Sequence, residues 1–287
     1  MATQKSSSAA KPAARKPAAK STQSAAVVDF SDRVLNVLPS RETESDWDFT
    51  NALTASVTAA AAPPASTDLR EAWWNIGDQG QTGSCVGWAT ADSVMRYLLV
   101  KAGRLEPAEQ LSARFVWMAS KETDHFVDRP ESFIEEAGTS LKAAADICRK
   151  FGVVTEALLN FQVNTLMYTG RSNDFYAAAS TRRAANYFNL FKDLNEWKKW
   201  LANTGPILAA LRVDSSWLDA TSTQGELKKF KPGPNQGGHA IAIVGYTAKH
   251  FIIRNSWGTA WGKDGFGFAT PEYIKDAFFN ESFGLTL

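Results

Sequence analysis

An α+β architecture in two parts is what this chain predicts, and three observations carry it. Apolar residues at helical spacing dominate 68–170, whereas short apolar runs bounded by Gly and polar residues dominate the chain after Tyr187. A hydrophobic share of 44%, with ten Trp, is enough to hold one unit of this size by its core, without disulfides.

The first helix follows Cys85. Residues 86–101 carry few breakers beyond Gly87 and set Val94, Tyr97, Leu98 and Leu99 at helical spacing, which puts Cys85 in the first turn. Helical patterns return over 111–120 and 140–149. In the second, Leu141, Ala144, Ala145 and Cys148 form one apolar face, so Cys148 reads as a core thiol and not as a partner for Cys85. After Tyr187 come a helix over 193–202 and strands over 207–213, 239–246, 251–254 and 265–269. Residues 239–246 are almost continuously apolar, as in a strand buried on both faces. Polar residues 247–250 then turn the chain into an antiparallel hairpin with 251–254, and a turn centred near Thr247 sets His239 opposite Asn255.

The N-terminal region is different material. Residues 1–26 hold Lys5, Lys11, Arg15, Lys16 and Lys20, no acid, nine Ala, five Ser and two Pro, a composition expected to be disordered. Removing this +5 from the formal +1 leaves −4 for the rest, so the basic charge sits at one end, suited to a weak polyanion contact. Residues 27–66 combine the apolar run Val34-Leu35-Asn36-Val37-Leu38 with Glu42, Glu44, Asp46 and Asp48 and an Ala- and Pro-containing linker. They read as a pro-segment or a strap along the following domain, 67–287. No secretory apolar run, no transmembrane-length stretch and no disulfide framework occur, so no membrane partner is expected and the expected setting is cytoplasmic and reducing.

Chemistry concentrates around Gln79-Gly80-Gln81-Thr82-Gly83-Ser84-Cys85. A thiol at a helix start is favoured as thiolate by the free N–H groups and the helix dipole, and Gln79, six residues earlier, is a candidate oxyanion donor. A thiolate site also needs an imidazole to take the proton and an amide oxygen to fix the ring, and His239 and Asn255 supply those groups. His125 and His250, the only other histidines, lack such context and read as surface or structural residues. Three scattered histidines and no Cys pair give no metal ligand set, and no cofactor is expected.

These segments resemble the papain-like cysteine proteases, most strongly through Arg254-Asn255-Ser256-Trp257-Gly258-Thr259-Ala260-Trp261-Gly262-Lys263-Asp264-Gly265-Phe266. Weaker echoes are Gln110-Leu111-Ser112, Gly138-Thr139-Ser140-Leu141 and Gly205-Pro206-Ile207-Leu208-Ala209-Ala210-Leu211. The resemblance implies a helical N-terminal half facing a β-barrel-like C-terminal half across a catalytic cleft. It implies Cys85 as nucleophile, His239 as general acid and base, Asn255 as the residue that orients His239, Gln79 in the oxyanion hole, and Trp257 as the indole shielding the Asn–His contact. The implied activity is that of a cysteine endopeptidase acting on peptides or proteins. An inactive peptide-binding domain, or an amidase or acyltransferase with a non-peptide substrate, stays open.

The chain departs from the family pattern in two places. Thr82 stands where secreted members carry a second Cys, so the usual disulfide beside the site cannot form. Val86-Gly87-Trp88 displaces the aromatic residue after the nucleophile by two positions, which alters the wall behind the sulfur.

Overall fold

Eight strands share one sheet in the computed structural model, which describes residues 33–48, 62–123, 137–162, 164–233 and 237–287. They are β1 (Thr67–Asp68), β2 (Asn186–Asn189), β3 (Ile207–Arg212), β4 (Glu226–Leu227), β5 (Gly238–Tyr246), β6 (Phe251–Arg254), β7 (Phe266–Ala269) and β8 (Phe278–Thr286). Their order is β2-β8-β3-β5-β6-β7-β4, with β1 paired to the end of β5. Only the β4–β7 pair is parallel among those described. The basic tail at 1–26, the linker from residue 49 to 61 and His125 lie outside the described residues.

The helices pack mainly on one face of the sheet. Helix α1 runs without interruption through Cys85–Gly87, a π-helical stretch Trp88–Met95 and Arg96–Lys101. Next come α2 (Ala113–Thr123), α3 (Leu141–Lys150), α4 (Ser172–Ser180), α5 (Leu194–Asn203) and α6 (Pro271–Ala277). Helix starts follow their caps: Ser140 accepts the N–H of Ala143, Asp193 those of Asn195 and Glu196, and Thr270 that of Tyr273. Gly87 lets α2 cross α1 closely, since a Cβ there would lie 2.3 Å from the Ala113 carbonyl oxygen. The displaced Trp88 finds its own seat edge-on to Phe161 at 4.9 Å.

Alternation along β5 divides the interior. Ala240, Ala242 and Val244 join the core beneath α1, α2 and α3, whereas Ile241 and Ile243 join a second core with Trp197, Trp200, Trp217, Trp257 and Trp261. Helix α3 buries Leu141, Ala144, Ala145 and Cys148, the face its spacing predicts.

The hairpin register differs from the expected one. The turn is closed by Thr247 N–H donating to the His250 carbonyl at 2.8 Å, and an irregularity at Val244 shifts the ladder, giving Ala242↔Arg254 and Tyr246↔Phe251. His239 therefore has Leu211 of β3 as its strand partner, while Asn255 lies past the end of β6. Six elements carried no sequence signal. Strand β8 includes the polar run Asn280, Glu281 and Ser282, α4 is largely Ala, Ser and Asn, and β1, β2, β4 and α6 are short.

Residues 33–48 lie along the surface of this fold. Val37 N–H donates to Gly238 O at 3.2 Å and Leu38 N–H to Thr139 O at 3.1 Å, so consecutive residues touch the sheet and the helical side. Farther along, Ser40 Oγ donates to Glu281 Oε1 at 2.6 Å, Lys142 pairs with Asp46 at 2.7 Å, and Asn189 N–H donates to Trp47 O at 2.8 Å.

Candidate active site

Cys85 begins α1 and is fully buried, with the N–H groups of Ala240, Val86 and Cys85 itself facing its sulfur. The turn before it is fixed by hydroxyls where a disulfide was ruled out. Thr82 Oγ1 donates to Gln79 O at 2.7 Å, so the 2.6 Å contact between Thr82 and Ser84 has Ser84 as donor. Gln79 is also fully buried. One of its amide N–H bonds goes to Thr82 O at 2.9 Å, and its oxygen accepts from Ser256 Oγ at 2.8 Å.

The loop around Gln79 is laced to the loop that follows β6. Gln79 N–H donates to Ser256 O at 2.9 Å and Gly258 N–H to Gly77 O at 3.0 Å. That pairing brings Asn255 within reach of His239, whose Nε2 lies 2.8 Å from Asn255 Oδ1. The same Oδ1 accepts the Ser256 N–H at 2.8 Å, which identifies it as the oxygen and makes His239 Nε2 the donor. The neutral ring therefore keeps its lone pair on Nδ1, which is buried with no protein partner.

Aromatic rings enclose that imidazole. Trp257 lies against it with centroids 4.8 Å apart, and Trp217 meets it edge-on at 5.7 Å. Trp217 is held by its indole N–H on Tyr273 OH at 2.8 Å, and Tyr273 OH donates in turn to Asp214 Oδ1 at 2.8 Å. All five residues the sequence singles out, Cys85, Gln79, His239, Asn255 and Trp257, are buried around this one junction between α1, β5 and the loop after β6. His250 stands apart at the hairpin turn.

The electrostatics correct one expectation. The helix start was expected to favour a thiolate, yet burial pushes the Cys85 thiol up to about 11, and the three N–H groups only partly offset it. Burial likewise pushes His239 down to about 4; the Asn255 bond opposes the shift, and the Arg33 charge adds to it. In this closed arrangement thiol and imidazole are both neutral.

Arg33 belongs to the segment over the site. Its Nη1 donates to Asp78 Oδ1 at 2.6 Å and Gly80 O at 3.2 Å, and its guanidinium lies 5.6 Å from the Trp257 ring centroid. Glycine is required where this segment passes: a Cβ on Gly138 would sit 1.8 Å from Asn36 O, and one on Gly237 2.1 Å from Leu35 O. Arg33 and Trp217 escaped the sequence reading. The first lies far from every motif, and the second carries no signal beyond being a lone Trp near an Asp. A cavity of about 210 Å³ lined by Ser45, Asp46, Trp47, Arg149, Asn186 and Tyr187 shares no residue with the site. Among the described residues no group of His, Cys, Asp and Glu could hold a metal ion, and no helix is long and apolar enough to cross a membrane.

Comparison with known proteins gives one family. The model described as papain family cysteine protease matches residues 63–273. Cysteine proteinase 1 of Dictyostelium discoideum is 25% identical over 206 residues, covering 67% of this chain and 55% of that protein. Ananain of Ananas comosus is 28% identical over 219 residues, 71% of this chain and 54% of ananain. The chain thus spans about half the length of these curated relatives. Among solved structures, xylellain, a cysteine protease from Xylella fastidiosa, superposes with a TM-score of 0.70 at 22% identity, covering 89% of this chain and 97% of that one. At that identity the likeness concerns the fold.

Proposed function

Because the chain belongs to the papain family of cysteine proteases, its model matching residues 63–273, we propose that it is a cysteine endopeptidase working by thiol-dependent acyl transfer. His239 Nδ1 takes the Cys85 proton, and the sulfur attacks the peptide carbonyl carbon. The resulting oxyanion is held by the Cys85 N–H and the second N–H of the Gln79 amide. His239 then protonates the leaving amine, and water attacks the thioester to release the acyl group and restore the thiol. Asn255 orients the ring, and Trp257 keeps water from the Asn–His bond, which strengthens it.

The observation that supports this most directly is the shared Asn255 oxygen, which leaves Nδ1 of His239 as the free base, on the residue next to Ala240, whose N–H faces the Cys85 sulfur. Substrates are peptides or proteins, and two unpaired thiols suit a reducing, cytoplasmic setting. Residues 33–48 act as a strap that keeps the cleft closed, supported by Val37 and Leu38 bonding to opposite sides of it. Cys85→Ala is expected to abolish peptide hydrolysis in a folded protein, and a thiol-directed epoxide to label Cys85 alone. Label on Cys148, or hydrolysis surviving in the Cys85→Ala chain, would remove the assignment.

A further inference from the structure

Arg254 closes β6 one residue before Asn255 and is 1% exposed, in a strand otherwise made of Phe251, Ile252 and Ile253. Its guanidinium lies 4.8 Å from the Trp74 ring centroid. Nη2 donates to Asp92 Oδ2 at 2.8 Å and to Asn75 O at 2.6 Å, and Nη1 donates to Ser93 Oγ at 2.8 Å. Asp92 and Ser93 lie in the π-helical stretch of α1, a backbone form that concentrates at functional sites. The other oxygen of Asp92 accepts from Arg96 Nη1 at 3.1 Å, and its carbonyl takes the Trp74 indole N–H at 2.9 Å.

One carboxylate facing two guanidiniums leaves net positive charge in the core, and ion pairs stripped of water return little stability. What a guanidinium fork does supply is fixed direction as well as distance. Each chain piece that Arg254 joins leads to one member of the site. Helix α1 begins with Cys85, seven residues before Asp92; Asn75 stands four residues before Gln79; and Asn255 follows Arg254 directly.

We propose that Arg254 and Asp92 are positioning residues for the acyl-transfer reaction, a clamp of one guanidinium on three chain segments that keeps Cys85, Gln79 and Asn255 in register. The inference rests on the peptidase reading above. Without the clamp α1 slides against β6, and a misplacement on the order of 1 Å costs about 10²-fold in rate.

The test uses the full-length chain carrying Val37→Asp, which puts a charge into a buried contact of the proposed strap and is expected to open the cleft. Peptide turnover, the pH dependence of Cys85 alkylation by iodoacetamide, and Tm are measured in this background and in its Arg254→Met derivative. That variant leaves Asp92 and Arg96 as a balanced pair. The expected result is a lowered Tm with one cooperative transition retained, kcat down by about 10²-fold with KM within about twofold, and alkylation that needs higher pH. Arg254→Lys, which keeps the charge and loses the fork, recovers only part. A folded Arg254→Met chain with background kcat and background alkylation overturns the clamp, as does full recovery with Lys. If Arg254→Met fails to fold, Ser93→Ala decides, since it removes one bond and no charge: an unchanged kcat overturns the proposal, a reduced one at constant Tm supports it. A background chain whose Cys85 is alkylated but which turns over no peptide removes the peptidase reading, and the clamp with it.

Discussion

Asn255 Oδ1 accepts from two donors at once, Ser256 N–H and His239 Nε2, both at 2.8 Å, and this leaves the imidazole a single tautomer. Gln79 is held as firmly, its oxygen on Ser256 and one N–H on Thr82, so in the proposed mechanism its second N–H is the one that meets the oxyanion. The two amides should therefore fail in the same way for different reasons. Gln79→Ala is expected to lower kcat by about 10²–10³-fold with little change in KM, by loss of a donor that acts in the transition state. Asn255→Ala is expected to lower it by about 10²-fold or more, by freeing the ring. Steady-state kinetics check both, and a Gln79→Ala loss below about tenfold would take Gln79 out of the oxyanion hole. At this scale the sequence foretold the meeting of His239 with Asn255, and the structure buries Cys85 near them, while their catalytic roles rest on the proposed mechanism. The neutral state of Cys85 and His239 was not legible, because it comes from tertiary burial that no local pattern records.

Among the elements, the segment 33–48, proposed as a strap, carries the clearest functional prediction. Val37 is 5% exposed and bonds to Gly238 while Leu38 bonds to Thr139, and Arg33 sits over Trp257 and adds to the depression of His239. A charge at position 37 has no partner there, so Val37→Asp should lift the segment and raise peptide turnover in the full-length chain at least about tenfold. Equal turnover by the parent and the Val37→Asp chain would show that the strap does not gate the site. The apolar run at 34–38 made such a segment readable as strap or pro-segment, although the sequence did not say where it docks. Helix starts were legible to within a residue where a cap precedes an apolar face, as at Ser140 and Asp193. The hairpin register was not, because neither the closing residue of a four-residue turn nor the irregularity at Val244 leaves a mark in composition. Arg254 and Asp92 did leave one: each is a lone charge in an apolar run, which calls for a buried partner.

For the molecule as a whole, two buried groups set opposite responses to pH. His239 is held near 4 against an ordinary 6.5, so the unfolded chain binds a proton the folded one refuses; stability is fully present above 6.5 and lost as pH falls through about 4. Glu281 is pushed by burial from 4.5 up to about 7, so its folded carboxyl keeps its proton, and that contribution is present below 4.5 and lost as pH rises through about 7. Glu281→Gln fixes the neutral form and can still accept from Ser40. It should raise Tm at about pH 8 and leave it nearly unchanged near pH 4.5, as thermal melts would show. An equal gain at both values would mean that the carboxylate charge is not what burial penalises. The strap bond between Val37 and Gly238 also fixes an order in time. The two residues are 201 positions apart (238 − 37), so at about 5–20 residues per second a ribosome emits the strap ~10–40 s before its docking strand exists. Every newly made copy thus spends most of its synthesis with Val37 unpaired from its strand, and the bond from Ser40 to Glu281 waits longer still.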